Sequence, residues 1–224
     1  MKQVWIVSAL ILTLGSSPVL AADKKSSDDN YSYALGFTLG KNILQKFPGV
    51  DSNQFLQAMQ DAIKNKKSKL SNEQIEQAFK AHEEKMKNEH QAKANKNTDR
   101  GKQFIAKYKQ QPGVKPLAEG MYYKVLKSGK GTTPRADSTV EVHYKGTLID
   151  GTVFDSSYQR GQPVSFPLNR VIKGWTIAVQ KMQPGDKWEV VIPSELAYGA
   201  GGAPGGKIGP NETLIFEIEL LKVL

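Results

Sequence analysis

Apolar residues follow two different periods along this chain, and the change between them falls near residue 117. Before that point they recur every three or four residues within proline-free segments, which is typical of α-helices. After it, apolar and polar residues alternate in residues 140–145 and again in residues 214–220, which is typical of half-buried antiparallel strands. The pattern therefore predicts an α+β protein, with an all-α N-terminal part followed by a part built on a sheet.

Two short helices are predicted in the first part, at residues 31–47 and 52–64. The first is apolar on most of its sides, so one partner helix cannot cover it. It also carries Gly36 and Gly40, whose four-residue spacing lets another backbone come close, although each glycine costs about 1 kcal/mol in a helix. Because two such helices cannot bury this surface alone, we predict a two-fold homodimer interface in residues 31–64, with packing inside one chain as the alternative.

A third, much longer helix is predicted over residues 71–109. Ser71 and Gln74 form a capping box at its start, and a Pro-Gly pair ends it. Apolar residues occur near both ends, but residues 87–103 between them are almost wholly polar. A helix that is polar on all sides is typical of an exposed spacer between two domains, and His90 within it is expected to be a solvated surface residue.

The second part supplies strands and one short helix. The predicted strands are residues 121–126, 140–145, 152–155, 187–192 and 213–223. Asp150 and Gly151 precede the third strand and are a hairpin-turn signal. A short helix is predicted at residues 175–181, and an antiparallel sheet is expected to wrap over it.

The first 22 residues have the three parts of a secretory signal peptide. Lys2 gives a basic start, residues 4–14 are apolar, and a small-residue stretch predicts cleavage after Ala21 or one residue later. The apolar run is shorter than the roughly 20 residues that a membrane span needs, so no transmembrane segment is predicted. The chain has no cysteine for a lipid anchor or a disulfide. We therefore expect a periplasmic protein, or one associated with the outer membrane or cell surface.

The formal net charge of the chain is +9 at pH 7. The lysines are spread over the helices and include no Arg-rich arm, so no nucleic-acid partner is predicted and the charge is attributed to solubility. Residues 23–30, directly after the predicted signal peptide, are charged and rich in serine. They are expected to form a disordered leader.

Residues 171–175, with the sequence Val-Ile-Lys-Gly-Trp, predict a binding site. A tryptophan at the start of a short helix suits the floor of a concave apolar site, and the chain supplies apolar walls with a single carboxylate. On composition alone, a hydrophobic core that contains aromatic residues is the alternative. The predicted lining consists of Tyr144, Phe154, Asp155, Val164, Phe166, Val171, Ile172, Trp175, Tyr198, Ile208 and Phe216.

No metal or cofactor motif is complete in this sequence. His82 and Glu83 begin a helical zinc motif, but Met86 stands where its second histidine is needed. The glycine-rich string 201–207 imitates a phosphate-binding loop, but Ile208 replaces the Ser or Thr that would hold magnesium. We therefore expect neither a metal nor a cofactor.

Five segments of the second part stand in the order and at the spacings of one family. They are residues 142–146, 151–157, 171–175, 196–199 and 214–221. Together they resemble an FKBP-type peptidyl-prolyl cis-trans isomerase, a match that covers residue 117 to the C-terminus. The helix at residues 33–41 and the long helix after it resemble the N-terminal domain of the Mip and FkpA group. These are secreted bacterial FKBPs that form V-shaped homodimers.

The resemblance implies a domain organisation. It consists of a signal peptide at residues 1–21, a helical dimerisation domain at 22–70, a long connecting helix at 71–111 and an isomerase domain at 112–224. The implied activity is cis-trans isomerisation of X–Pro bonds in proline-containing clients, in support of the folding of secreted proteins. The alternative is a chaperone or surface-interaction protein in which peptide holding dominates.

The resemblance also implies roles for the site residues. Trp175 would form the floor under a proline ring. The backbone N–H of Ile172 and the hydroxyl of Tyr198 would hold carbonyl groups of the peptide, or of a macrolide inhibitor of the rapamycin type. Tyr144, Asp155 and Tyr198 would act in catalysis, with Asp155 either bound to Tyr144 or facing the twisted carbonyl.

Two positions depart from the family pattern. Residues 203–207 read Ala-Pro-Gly-Gly-Lys where many relatives carry a histidine, and Val164 stands where some relatives carry an aromatic residue. Both differences are expected to affect the preference for peptides.

Overall fold

The computed structural model of the chain describes residues 24–47 and 49–224, and the predicted signal peptide lies outside these residues. The chain divides into two compact units, one that ends at Ser71 and one that runs from Asn72 to Leu224. Within the described ranges, no helix is both long enough and apolar enough to cross a membrane.

The described part of the first unit contains two helices, α1 (Lys24–Lys46) and α2 (Ser52–Ile63). Asp51 caps α2, because its carboxylate accepts hydrogen bonds of 2.9 Å from the amides of Asn53 and Gln54. The prediction of a disordered leader was wrong, since the chain is helical from Lys24 onward. Extending an existing helix by one residue is far easier than starting a new one, and the leader contains neither proline nor glycine to stop it.

Helix α1 leaves large apolar side chains uncovered. Tyr31, Tyr33 and Phe37 are 68%, 74% and 63% exposed. A Cβ added to Gly36 or Gly40 would meet no atom within 4 Å. The described residues of a single chain therefore cover neither the apolar sides nor the glycine face of this helix.

The second unit begins with the long helix α3 (Asn72–Tyr108), which lies within one residue of the predicted bounds at each end. Seven strands follow: β1 (Val114–Pro116), β2 (Tyr122–Lys127), β3 (Thr139–Leu148), β4 (Val153–Ser156), β5 (Val164–Pro167), β6 (Lys187–Ile192) and β7 (Leu214–Val223). The five predicted strands are all present. Strands β1 and β5 were missed because each is short and ends in proline, which lacks the N–H that a strand donates.

The strands form one antiparallel sheet in the order β1-β2-β6-β7-β3-β4, and β5 pairs with the first half of β3. Burial alternates along β3 and β7, as the sequence pattern predicted. Their inner side chains, including Val142 and Ile218, pack with the short helix α4 (Lys173–Val179). Gly174 of α4 approaches Ile192 so closely that an added Cβ would overlap its side chain. The α+β fold with an antiparallel sheet wrapped on a short helix is confirmed.

The polar middle of α3 was predicted to be exposed on all sides, and this was wrong. Ala94, Asn97 and Gly101 are buried, as is Tyr108 at the end of the helix. His90 is exposed but not simply solvated, because its Nε2 lies 2.8 Å from the carbonyl oxygen of Ala200. Half of the helix therefore packs along the sheet domain through small and polar residues.

Candidate active site

A cavity of about 680 Å³ lies beside the N-terminus of α4. Its lining comes from β3, β4, β5, β7, the start of α4 and a loop at residues 198–211, here called the flap loop. The lining residues are Tyr144, Phe154, Asp155, Phe166, Arg170, Val171, Ile172, Trp175, Tyr198, Ala203, Pro204, Lys207, Ile208 and Phe216. Ten of the eleven residues that the sequence nominated are therefore brought together around one cavity.

Val164 is the nominated residue that does not line the cavity. It lies on β5 opposite Val142 and packs, partly buried, against the hydrophobic core. Its neighbour at two positions along the strand, Phe166, does reach the cavity. Side chains two positions apart lie on the same face of a strand, so the sequence pattern correctly placed Val164 and Phe166 on one face of β5. The pattern does not show where along the strand the cavity ends.

The floor of the cavity is the indole of Trp175, which is only 4% exposed. Three rings meet it nearly at right angles, with centroid distances of 5.2 Å for Tyr144, 5.8 Å for Phe166 and 5.4 Å for Phe216. Edge-to-face packing places the positive ring edge against the negative face of its neighbour, which holds such rings in defined positions. The result is a rigid aromatic cup.

A glycine in β3 makes this packing possible. A Cβ at Gly146 would overlap the ring of Phe154 and would crowd the ring of Phe216. These two rings lie 5.5 Å apart in an edge-to-face arrangement. Because Gly146 has no side chain, the rings of Phe154 and Phe216 can both pack over β3 as walls of the cup.

One edge of the cavity is polar. Asp155 accepts hydrogen bonds from the hydroxyl of Tyr144 and from the guanidinium of Arg160. The Nη2 of Arg160 also donates to the Tyr144 hydroxyl at 2.9 Å. Of the two arrangements left open for Asp155, the structure has the hydrogen bond to Tyr144. Sequence reasoning missed Arg160, because its loop position carries no pattern, although it follows Asp155 by five residues.

This network changes the ionisation of its members. Burial would raise the pKa of Asp155, but hydrogen bonds from Tyr144 and Arg160 outweigh it and bring the pKa below its ordinary value. Burial and the hydrogen bond to Asp155 raise the pKa of Tyr144, and Arg160 partly opposes this rise. At neutral pH the edge therefore holds a carboxylate, a neutral phenol and a guanidinium.

The opposite wall is the flap loop. Tyr198 at its start is 41% exposed, and Ile208 near its end is buried. The Nζ of Lys207 donates to the carbonyl oxygen of Phe154 at 3.4 Å, so it stands at the rim. Together with Arg170, Ala203 and Pro204, Lys207 completes the lining that the sequence did not nominate.

A hydrogen-bond donor stands beside the floor. Ile172 precedes α4, and its carbonyl accepts from the amide of Trp175 at 3.0 Å. Its own amide donates to no other group within the described part of the chain. The cavity thus combines an apolar cup, a backbone donor and phenol hydroxyls, but no nucleophile paired with a base.

An antiparallel sheet over a short helix, with an aromatic cup at the start of that helix, defines a peptidyl-prolyl isomerase of the FKBP type. Residues 130–221 match the family described as FKBP-type peptidyl-prolyl cis-trans isomerase. Residues 28–125 match the domain amino terminal to FKBP-type peptidyl-prolyl isomerase.

Individual relatives agree with these matches along most of their length. The FkpA isomerase of Escherichia coli K12 is 44% identical over 223 residues, which cover 93% of this chain and 82% of FkpA. The outer membrane protein MIP of Legionella longbeachae is 39% identical over 226 residues and 97% of each chain. The crystal structure of FkpA from Escherichia coli superimposes with a TM-score of 0.64 at 42% identity, covering 89% of this chain and 97% of that one. The chain belongs to the FKBP-type peptidyl-prolyl cis-trans isomerases, with the amino-terminal domain of the FkpA and Mip proteins, and it is an enzyme of that activity.

Proposed function

We propose that the aromatic cup binds the proline ring of an X–Pro segment over Trp175 and that the rim holds the flanking carbonyl groups. The observation that carries this proposal is the indole floor, walled by three rings at right angles. A proline ring is a compact apolar group without an N–H, so an apolar cup suits it. The substrates are proline-containing polypeptides.

Catalysis follows from removing water around the prolyl amide. Rotation about this bond faces a barrier of roughly 18–20 kcal/mol, which amide resonance sets. The planar amide is more charge-separated than the twisted one, so a dry apolar cup destabilises the planar form relative to the twisted form. Each 1.36 kcal/mol of preference for the twisted form gives about tenfold in rate. The reaction needs no proton transfer, metal or cofactor.

The polar groups have positioning roles in this scheme. The amide of Ile172 and the hydroxyl of Tyr198 donate to carbonyl groups beside the proline. The carboxylate of Asp155 holds the Tyr144 ring in place through their hydrogen bond. Phe154, Phe166, Val171, Ile208 and Phe216 supply the apolar walls. Macrolides of the rapamycin type would occupy the same cup and block it.

The cellular setting is part of the proposal. A cleaved signal peptide at residues 1–21 would deliver the protein to the periplasm, where its clients are secreted proteins during folding. Dimerisation through residues 31–64 would cover the exposed aromatic side chains of α1. The MIP relative of Legionella longbeachae bears the name of an outer membrane protein, which supports association with the outer membrane or cell surface as the alternative location.

A protease-coupled assay on a proline tetrapeptide, with and without rapamycin, tests the proposed site. We expect activity that rapamycin abolishes, and a loss of about fivefold to tenfold in Tyr198→Phe, which removes one hydrogen bond and no carbon. Light scattering on the same samples checks that assembly is unchanged. Activity that rapamycin leaves intact would place the reaction outside this cavity.

A holding function is the second candidate, and the open, largely apolar cavity favours it. The cup of each subunit would bind apolar segments of unfolded chains, and two cups on one dimer would raise the effective concentration of sites for one client. Suppression of the aggregation of a proline-free client distinguishes the two functions. Holding is supported if the wild type suppresses this aggregation and rapamycin, which would fill the cups, abolishes the suppression; no suppression by the wild type eliminates it.

A further inference from the structure

One face of α3 makes a continuous contact with the sheet domain. Its members are His90, Ala94, Asn97, Gly101 and Tyr108, whose spacings of four, three, four and seven residues keep them on one side of a helix. Ala94 and Asn97 are only 2% and 4% exposed. Because a buried amide side chain needs hydrogen-bond partners, Asn97 indicates a specific contact and not mere proximity.

Asn97 reaches the flap loop directly. Its Nδ2 donates a buried hydrogen bond of 2.8 Å to the carbonyl oxygen of Pro210. On the next residue of the helix, Thr98 accepts a 3.1 Å hydrogen bond at Oγ1 from the Nδ2 of Asn211. Adjacent positions of the helix therefore hold adjacent positions at the end of the loop.

Two further contacts flank this pair. Toward the start of α3, the Nε2 of His90 lies 2.8 Å from the carbonyl oxygen of Ala200, at the other end of the loop. Toward its end, a Cβ at Gly101 would overlap the Oγ1 of Thr213, just beyond the loop. The helix thus contacts both ends of the flap loop.

The flap loop contains no strand and has only a few backbone hydrogen bonds of its own. Gly202, Gly205 and Gly206 have positive φ angles of 68°, 87° and 75°, which leaves the loop few regular backbone pairs. Two backbone hydrogen bonds span it, from the amide of Asn211 to the carbonyl of Gly199 at 2.8 Å and from the amide of Ala203 to the carbonyl of Ile208 at 3.0 Å, and two short turns complete its internal bonding. Loops of this kind take their position from the surface on which they lie.

The inner side of the same loop lines the cavity. Five lining side chains come from it: Tyr198, Ala203, Pro204, Lys207 and Ile208. The peptide bond of Pro210, which Asn97 holds, is two residues from Ile208. A displacement of Pro210 would therefore move one wall of the cup.

We propose that helix α3 sets the position of this wall, with Asn97 as a positioning residue that acts through Pro210 on the flap loop. This inference rests on the proposed role of the cavity in peptide binding. Helix α3 is then a structural part of the isomerase site as well as the connection to the first unit. The expected defect on loss of Asn97 is weaker peptide binding, because the floor and the polar edge remain intact.

A matched pair of variants tests the proposal in the full-length protein. Asn97→Ala removes the donor to Pro210. Asn95→Ala removes the same kind of side chain two residues away on the exposed side, where the Oδ1 of Asn95 accepts a hydrogen bond from the Nε2 of Gln91 on the same helix. We expect Asn97→Ala to raise KM for a proline tetrapeptide about fivefold with little change in kcat, and Asn95→Ala to match the wild type. A displaced cavity wall raises KM and leaves kcat nearly unchanged, whereas a smaller fraction of folded protein lowers the apparent kcat and leaves KM unchanged.

An isosteric variant separates hydrogen bonding from packing. Asn97→Asp keeps the shape but presents a carboxylate oxygen to the Pro210 carbonyl, next to the buried Glu212. Burial raises the pKa of Glu212, against the effects of Arg100, Lys93 and a hydrogen bond from Asn97, so a second carboxylate is poorly accommodated there. Asn97→Asp should therefore impair binding at least as much as Asn97→Ala.

Hydrogen exchange gives an outcome that does not depend on activity. The amides of Ala203 and Asn211 donate within the flap loop, and they should exchange faster in Asn97→Ala than in Asn95→Ala, while the amides of β7 stay unchanged. Equal exchange and equal KM in the two variants would overturn the proposal. An inactive wild-type protein would contradict the proposed function instead, and the exchange rates would still decide whether α3 holds the loop.

Discussion

The Nη2 of Arg160 lies 2.9 Å from the hydroxyl oxygen of Tyr144, and the same guanidinium is paired with the carboxylate of Asp155. The arginine comes from the loop after β4, whereas the tyrosine stands in the middle of β3. Its guanidinium carbon also lies 5.6 Å from the centre of the Tyr144 ring. A single loop residue therefore fixes both the hydroxyl and the ring of one wall of the cup.

Arg160→Ala is expected to shift the acid sensitivity of the site to higher pH. Asp155 has a pKa below its ordinary value in the folded protein, so its contribution is complete at neutral pH and is lost only as the pH falls below about 3.9. Without the guanidinium, burial is opposed less strongly and the pKa of Asp155 rises. The loss of rapamycin binding on acidification should then begin at higher pH than in the wild type.

Carbon-13 NMR titration of the Asp155 carboxyl, together with rapamycin binding measured from neutral pH down to below the ordinary pKa of an aspartate, about 3.9, checks this prediction. Arg135→Ala is a suitable control, because Arg135 pairs with Asp137 away from this cavity. An Asp155 pKa that is the same in Arg160→Ala and in the wild type would show that the guanidinium does not control the carboxylate.

Gly146→Ala should damage the cup itself. The new methyl group would overlap the Phe154 ring and crowd Phe216, so one ring must leave its place. Overpacking of this kind costs about 1–3 kcal/mol of folding free energy. Urea unfolding and rapamycin affinity measure the two consequences. Gly201→Ala is the control, since a Cβ there meets nothing within 4 Å; a Gly146→Ala protein as stable and as well inhibited as this control would contradict the packing argument.

The sheet and most of the cup could be predicted because their residues carry strong local signals. Alternation along β3 and β7 reports a strand with one buried face, and that inference needs no knowledge of the neighbours. Trp175 follows the pair Val171 and Ile172 closely and lies near the start of a short helix, which is also a local signal and predicted an apolar site. The lining residues, however, come from segments far apart in the sequence, so composition alone left a hydrophobic core as the alternative, and the family resemblance favoured a binding site.

The face of α3 that contacts the sheet domain could not be predicted from hydrophobic periodicity. Its buried members include Ala94, Asn97 and Gly101, which contribute little to an apolar stripe. Close approach of two backbones selects small residues, and a loop that presents carbonyl groups selects a hydrogen-bond donor. In the sequence, a helix with such a contact has the same pattern as a fully exposed polar helix. For this reason residues 87–103 were wrongly predicted to be exposed on all sides.

Gly36→Leu tests the proposed dimer. The glycine face of α1 is open in the single chain, so a leucine is accommodated in a monomer. If α1 packs closely against the same helix of a second copy, the leucine would hold the backbones apart and weaken the dimer.

Light scattering on a dilution series gives the assembly mass for Gly36→Leu and for the control Thr38→Leu, which adds a leucine on the other side of the helix. We expect dissociation at higher protein concentration only for Gly36→Leu. A wild-type mass equal to one chain would disprove the dimer.

The two cations at the rim, Arg170 and Lys207, should give the enzyme a preference for acidic residues near the proline. Both line the cavity and both are exposed, and the nearby carboxylate of Asp155 is already paired with Arg160. An exposed ion pair contributes up to about 1 kcal/mol, so kcat/KM for a peptide with Glu before proline should exceed that for a peptide with Lys there by up to about fivefold.

Lys207→Ala should reduce this ratio, whereas Lys115→Ala on β1 should not. The ratio should also decline in 1 M salt, where the screening length is about 3 Å. NMR exchange measurements on the two peptides provide the rates, and a ratio near one that neither salt nor Lys207→Ala changes would show that the rim charges do not select substrates.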